Sequence, residues 1–158
     1  MSNTNKFGDA FLTGIQASEH KAKNLSDIED VIKNLSEAIK DITTNKISIS
    51  YKSSRKNSIG STLAAITMAS AIGLELNETP KNEKPENKAI YAINSQGNEE
   101  LLTPVELGNE GFPCTIYIDG NKLIAMDKQS LEENISQMLS SATIGDKFQR
   151  LLNKLEFK

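Results

Sequence analysis

The chain has 158 residues, a formal net charge of −3, and a composition that is 37% apolar and 25% charged. That length suits one domain with a core of its own, and that composition excludes the intrinsically disordered class. An acidic balance disfavours nucleic acid as a partner, because general nucleic-acid binders need a basic face that releases counterions from phosphates.

Cys114 is the only cysteine, which excludes an intramolecular disulfide and any cysteine-based metal cluster. Chains built for oxidising compartments usually carry paired cysteines, so a cytoplasmic location is expected. The polar start, Met1 to Lys6, does not read as a signal peptide. The charge-free stretch Ile59–Leu74 is too short and too rich in Ser, Thr, Gly and Ala to span a bilayer, so no membrane association is expected.

In chain order, Phe7, Phe11, Ile15 and Ala22 suggest a weak helix in an N-terminal arm, residues 1–24, with a joint at Asn24 to Ser26. The clearest helix follows over 27–42. Leu25, Ile28, Ile32, Leu35, Ile39 and Ile42 alternate in steps of three and four, one stripe down a helix, and Ser26 with Glu29 has the spacing of a capping box. Ile28, Ile32, Leu35 and Ile39 are predicted to be buried. Ile47-Ser48-Ile49-Ser50-Tyr51 alternates as a strand with one buried face does. A basic turn, Lys52 to Ser58, leads to a helix over 59–72 that is apolar or small nearly all round. Residues 77–88 are polar, carry two prolines and read as a flexible surface loop.

Ala89 to Ile93 reads as a short buried strand and Ser95 to Asn98 as a turn. Glu99 to Leu107 is ambiguous, since Pro104 fits early in a helix or on a strand edge. Cys114–Ile118 and Lys122–Met126 flank Asp119-Gly120, a strong hairpin signal because both positions tolerate positive φ. A helix over 129–142 carries Leu131, Ile135, Met138, Leu139 and Ala142 on one face, with a Ser130–Glu133 capping box and a break at Gly145. A last helix, capped by Asp146, has Phe148, Leu151, Leu152 and Leu155 as its stripe. The whole chain, 1–158, is expected to form a single domain.

Gly111-Phe112-Pro113, the strand beginning at Cys114, the turn at Gly120 and a helix ending Ile135-Ser136-Gln137-Met138-Leu139 together resemble the C-terminal half of a thioredoxin fold, with residues 47–142 as the extent of the likeness. In that family a cis-proline stands where this chain has Pro113, usually followed by Thr where this chain has Cys114. The resemblance implies an α/β, thioredoxin-like three-layer arrangement with an extra N-terminal helical segment and a C-terminal helix. The family's Cys-x-x-Cys would fall near Arg55 to Gly60, where this chain has no cysteine. Dithiol exchange needs an attacking thiolate and a resolving partner, so the resemblance implies a scaffold without its redox chemistry. The alternative fold is an α+β antiparallel meander over 89–126 with helices on one face.

Three candidate sites follow. Lys52, Arg55, Lys56, Ser58 and Ser61 surround a predicted helix start, where free N–H groups and the helix dipole favour a phosphate or carboxylate; the plainer reading is a solvated turn with a helix cap. Cys114 beside Pro113 is either a reactive thiol or a small buried apolar residue. The stripe Leu25, Ile28, Ile32, Leu35, Ile39 and Ile42 runs about two and a half heptads, short of the three or four that signal a coiled coil. It either docks on the sheet or forms an interface with a partner.

The only histidine, His20, reads as solvated, no metal-ligand spacing occurs, and no cofactor is expected. The balance leans against an enzyme. The expected function is a non-catalytic protein-interaction module, an adaptor, inhibitor or immunity-type partner, binding another protein or a second copy of itself. The alternative is a small anion-binding protein or enzyme using 52–62 or Cys114. If Gly120 turns the hairpin at positive φ, Gly120→Val lowers stability by about 1 kcal/mol or more in thermal melting.

Overall fold

The computed structural model describes residues 3–54 and 87–156, with side chains from residue 5 onward. The expected helix over 59–72 and most of the expected loop over 77–88 lie outside the described residues.

A single helix, α1 (Asn3–Ile42), takes up the first quarter of the chain. The joint expected at Asn24 to Ser26 does not exist, and Ser26 with Glu29 caps nothing. No glycine or proline interrupts the chain from Ile15 to Ile42. An i,i+4 ion pair, Lys23 Nζ to the Asp27 carboxylate at 3.1 Å, spans the expected break. The Asn24 amide donates to the Glu110 carbonyl at 2.8 Å instead of capping its own backbone. The arm and the amphipathic segment are therefore one rod. It stops where Thr44 and Asn45 turn left-handed, at φ 54° and 60°, and the Asn45 N–H closes onto the Lys40 carbonyl at 2.7 Å.

Five strands follow among the described residues: β1 (Ile47–Ser53), β2 (Lys88–Asn94), β3 (Glu99–Gly108), β4 (Gly111–Ile118) and β5 (Asn121–Ala125). They form one sheet in the order β1-β2-β3-β4-β5, and all pairings are antiparallel. This is the meander, extended to include β1. The thioredoxin-like layering has no support in the described sheet. A parallel pair needs a crossover of about a dozen residues or more, and the links between β2 and β5 are tight turns.

Lys88 already belongs to β2, opposite Ser53, so the end of the expected 77–88 loop is strand. The ambiguous 99–107 segment is strand, with Pro104 opposite Ala89. The buried Thr103 hydroxyl beside it accepts the Tyr117 N–H at 2.8 Å. Asp119 and Gly120 turn the β4–β5 hairpin at φ 50° and 82°, and the Phe112–Pro113 bond is cis.

Two helices complete the described chain, α2 (Lys128–Leu139) and α3 (Ala142–Glu156). The capping box of α2 is Asp127 with Ser130, not Ser130 with Glu133. The Asp127 carboxylate accepts the Ser130 N–H at 2.8 Å and the Ser130 hydroxyl accepts the Asp127 N–H at 3.1 Å. The break falls at Ser140–Ser141. Gly145 and Asp146 lie inside α3, whose first turn is held by Ser141 Oγ accepting the Ile144 N–H at 3.2 Å.

The three described helices pack on one face of the sheet. Ile28, Val31, Ile32 and Leu35 of α1 meet Ile47 and Ile49 of β1, Ile90 and Ala92 of β2, and Cys114 and Ile116 of β4. Leu131, Ile135 and Met138 of α2 and Ile144 and Leu151 of α3 close the same core. Each buried Ile, Leu, Val or Met among them contributes on the order of 1.5–3 kcal/mol. Ile39, predicted buried, is half-buried at the rim.

The edge strand β1 would otherwise expose a row of backbone groups, and α1 covers it. Ser36 Oγ accepts the Ile49 N–H at 3.1 Å and donates to the Ile49 carbonyl at 3.3 Å. Seven residues on, Thr43 Oγ1 accepts the Ile47 N–H at 3.1 Å and donates to the Ile39 carbonyl of its own helix at 2.7 Å. The seven-residue spacing, about two turns of helix, keeps both hydroxyls on one side, facing alternate residues of the strand. Ser36→Ala strands a buried N–H and C=O together and should cost about 1–3 kcal/mol in chemical denaturation. An unchanged midpoint would show that the hydroxyl bridge is dispensable.

Candidate interaction surface

Cys114 faces the core from β4 and is fully buried. Burial pushes its thiol up to about 12, so at neutral pH it is protonated and carries no nucleophilic character. Of the two readings of Cys114, this burial favours the small apolar residue over the reactive thiol.

Of the proposed anion-binding set, Lys52 alone is described. It lies in β1, not in a turn, pairs with the Glu99 carboxylate at 2.6 Å, and stands 4.9 Å from the centre of the Tyr91 ring. Its charge is thus already matched within the sheet. Arg55, Lys56, Ser58 and Ser61 lie outside the described residues.

The remaining perturbed groups have structural explanations. The Arg150 guanidinium, at 3.1 and 3.3 Å from the Glu100 carboxylate, holds that carboxyl below its ordinary range. The Ser130 backbone N–H does the same for Asp127. Tyr117 donates its hydroxyl to Glu106 at 2.7 Å, which raises it. Among the described residues no group of three or more His, Cys, Asp or Glu side chains could hold a metal ion. A surface cleft of about 350 Å3 between α1 and β1 is lined by Glu29, Lys33, Ser36, Tyr51 and Lys88, among others. Lys88 there sits over the Tyr51 ring at 4.9 Å.

The predicted interface stripe divides. Ile28, Ile32 and Leu35 are spent on the protein's own core, Leu25 and Ile39 are half-buried, and Ile42 is 80% exposed at the helix end. The stripe is therefore not a partner surface as a unit. The exposed apolar surface of α1 lies further toward its N-terminus; Leu101, Ile124 and Met126 are exposed on and beside the sheet.

Helix α1 leaves the body of the fold near Asn24, where β4 begins. Gly111 has φ 92°, and a Cβ there would stand 3.0 Å from the Asn24 Cβ, so the absence of a side chain lets strand and helix meet. One turn further out, His20 Nδ1 lies 3.3 Å from the Glu110 carboxylate. Beyond that tie the helix runs on for roughly 25–30 Å with residues 5–16 all exposed. Phe7 is 74% exposed, Phe11 67%, Leu12 59% and Ile15 45%. Phe7, Phe11 and Ile15 recur every four residues and so share a side of the helix.

The spacing of these three residues was legible as a helix. What sequence reasoning missed was that their stripe precedes the point where the sheet begins to cover α1. Ser36 and Thr43 were missed as well; their signal was two hydroxyl residues one heptad apart, the second just past the helix end.

No helix among the described residues is long and apolar enough to cross a membrane. No family model matches the chain, and no match is found among curated proteins or solved structures.

The Cys114 assignment has a pH signature. Its thiol is raised in the folded state above its ordinary value of 9.0, to about 12. The unfolded chain therefore loses this proton first, and the contribution is fully present below pH 9 and lost as pH rises from about 9 to about 12. The downward slope of stability in that window should be shallower in Cys114→Ala than in the parent. Thiol reagents at pH 8 should label Cys114 only at the rate of unfolding.

Proposed function

We propose that the protein is a non-catalytic protein-interaction module that engages its partner through the exposed apolar face of the α1 arm. The observation that carries this reading is the exposure of Phe7, Phe11, Leu12 and Ile15 on one projecting stretch of helix. Scattered exposed apolar residues need no explanation, but two phenylalanines and two aliphatic residues within nine positions form a contiguous patch. An arm of this length is marginally stable as an isolated helix in water, and Gly8 and Gly14 weaken it further. A partner laid against Phe7, Phe11 and Ile15 would supply the packing that the body of the fold does not. Helix-to-helix or helix-in-groove recognition reads such anchors at i, i+4 and i+8.

The rival reading, catalysis or anion binding, has less to stand on. The Cys114 thiol is buried and protonated and the Lys52 ammonium is already paired.

The reading is tested by retention on immobilised protein, comparing the parent with Phe7→Asp/Phe11→Asp. Both positions are exposed, so the double variant should keep the parent's melting temperature to within a few degrees. Partner retention, whether of another protein or of a differently tagged copy of this chain, should fall at least tenfold. Equal retention by both would remove the arm from the function.

A further inference from the structure

Resting on that reading, we propose that the partner of the α1 arm is a second copy of this chain, the two arms packing antiparallel about a twofold axis at Phe11. In such a pair, residues whose numbers sum to 22 stand opposite each other. Phe7 then meets the second copy's Ile15, Phe11 meets its own counterpart, and Gly8 meets the second copy's Gly14. A twofold interface must be self-complementary, and this face is so in size: large residues oppose large ones and glycines oppose glycines.

Charge supports the same occupant. Between residues 5 and 18 the arm carries only Lys6 and Asp9, and these lie about 140° and 160° around the helix from Phe11. Self-pairing therefore brings no like charges together. An acidic or basic partner would find no counter-charge on this face. A membrane surface is disfavoured too, because helices that lie in the headgroup layer are rich in Lys and Arg on their polar side.

The glycines point the same way. Gly8 and Gly14 stand three residues before and after Phe11, on its two flanks. A Cβ at either would meet nothing within 4 Å in the chain itself. Glycine is unfavourable inside a helix, and nothing among the described residues uses the space these two leave. In the antiparallel pair that space receives the Phe11 side chain of the other copy, as a knob enters a hole between helices. The four exposed side chains offer roughly 450 Å2 per copy, about 900 Å2 for the pair, below the standard size of a stable interface, so the dimer is weak and concentration-dependent.

Sedimentation velocity on the full chain between about 1 μM and about 1 mM spans the range in which an interface of this size dissociates. The parent should pass from monomer to dimer across it. Phe11→Asp, whose site is exposed, should stay monomeric with an unchanged melting temperature. Orientation is read by mixing Gly8→Cys and Gly14→Cys chains under mild oxidation, with the buried Cys114 silent. Cross-links between position 8 of one chain and position 14 of the other should exceed the statistical share.

A parent that stays monomeric throughout, a dimer that survives Phe11→Asp, or cross-links no more frequent between 8 and 14 than between like positions would each overturn the proposal. If a monomeric parent still retains a different protein through Phe7 and Phe11, the self-association is wrong and the interaction module stands. If retention is also independent of the arm, both readings fall.

Discussion

Among the described residues the first strand of the sheet has no strand beyond it, and a helix lies along it instead. Ser36 bonds both backbone groups that Ile49 turns away from β2, and Thr43 takes the corresponding N–H of Ile47. A single strand neighbour would have done this with its own backbone; here two side chains do it from a helix. The arrangement fixes three things together: the height of α1 against the sheet, the rotation of α1 about its axis, and the register of β1. Once that rotation is set, Ile28, Ile32 and Leu35 face the core, and Ile47 and Ile49 follow by strand alternation.

The far side of the fold is held by a comparable device. Asn94, buried at the end of β2, donates its amide to the Leu151 carbonyl of α3 at 3.1 Å. Its Oδ1 accepts the Gln96 and Asn98 N–H groups at 3.0 and 2.9 Å. One side chain thus shapes the β2–β3 turn and seats the last helix. Polar side chains that satisfy backbone groups orient the helices on this sheet, and the Arg150–Glu100 pair adds a tie between α3 and β3. The Lys128–Asp30 pair between α2 and α1, at 4.0 Å and largely exposed, adds little.

Strands and hairpins were legible wherever alternation or turn chemistry was local. Ile47 to Tyr51 and Asp119-Gly120 needed no tertiary information. Topology was legible only as a choice between two arrangements, because the resemblance around Pro113 and Gly120 rests on features that an antiparallel meander shares. Two helix ends were misplaced because a side chain serves a purpose the local pattern does not show. Asn24 is engaged by Glu110, and Asp127, one turn upstream of the expected cap, has the better acceptor for the free N–H groups of α2. Of the candidate site, Cys114 was readable as either buried or reactive, and only the packing around it decides. The stripe from Leu25 to Ile42 was visible in full. Which part of an amphipathic rod a sheet will cover depends on where the sheet begins, and no periodicity in α1 encodes that.

The unbroken backbone of α1 places two stability regimes within one helix. From about Asn24 onward one side of the helix is buried in the core, which couples the opening of its amides to that of the domain. Before that point each amide depends on helix–coil equilibrium alone. Protection against hydrogen exchange along α1 should therefore form a step rather than a slope, located at the Gly111–Asn24 contact. Anything that grips Phe7 and Phe11 acts on the outer regime, and the continuous hydrogen-bond ladder connects it to Ser36, Thr43 and the edge of the sheet. Occupancy of the arm is in this sense mechanically joined to the register of β1, with no hinge between them to absorb it.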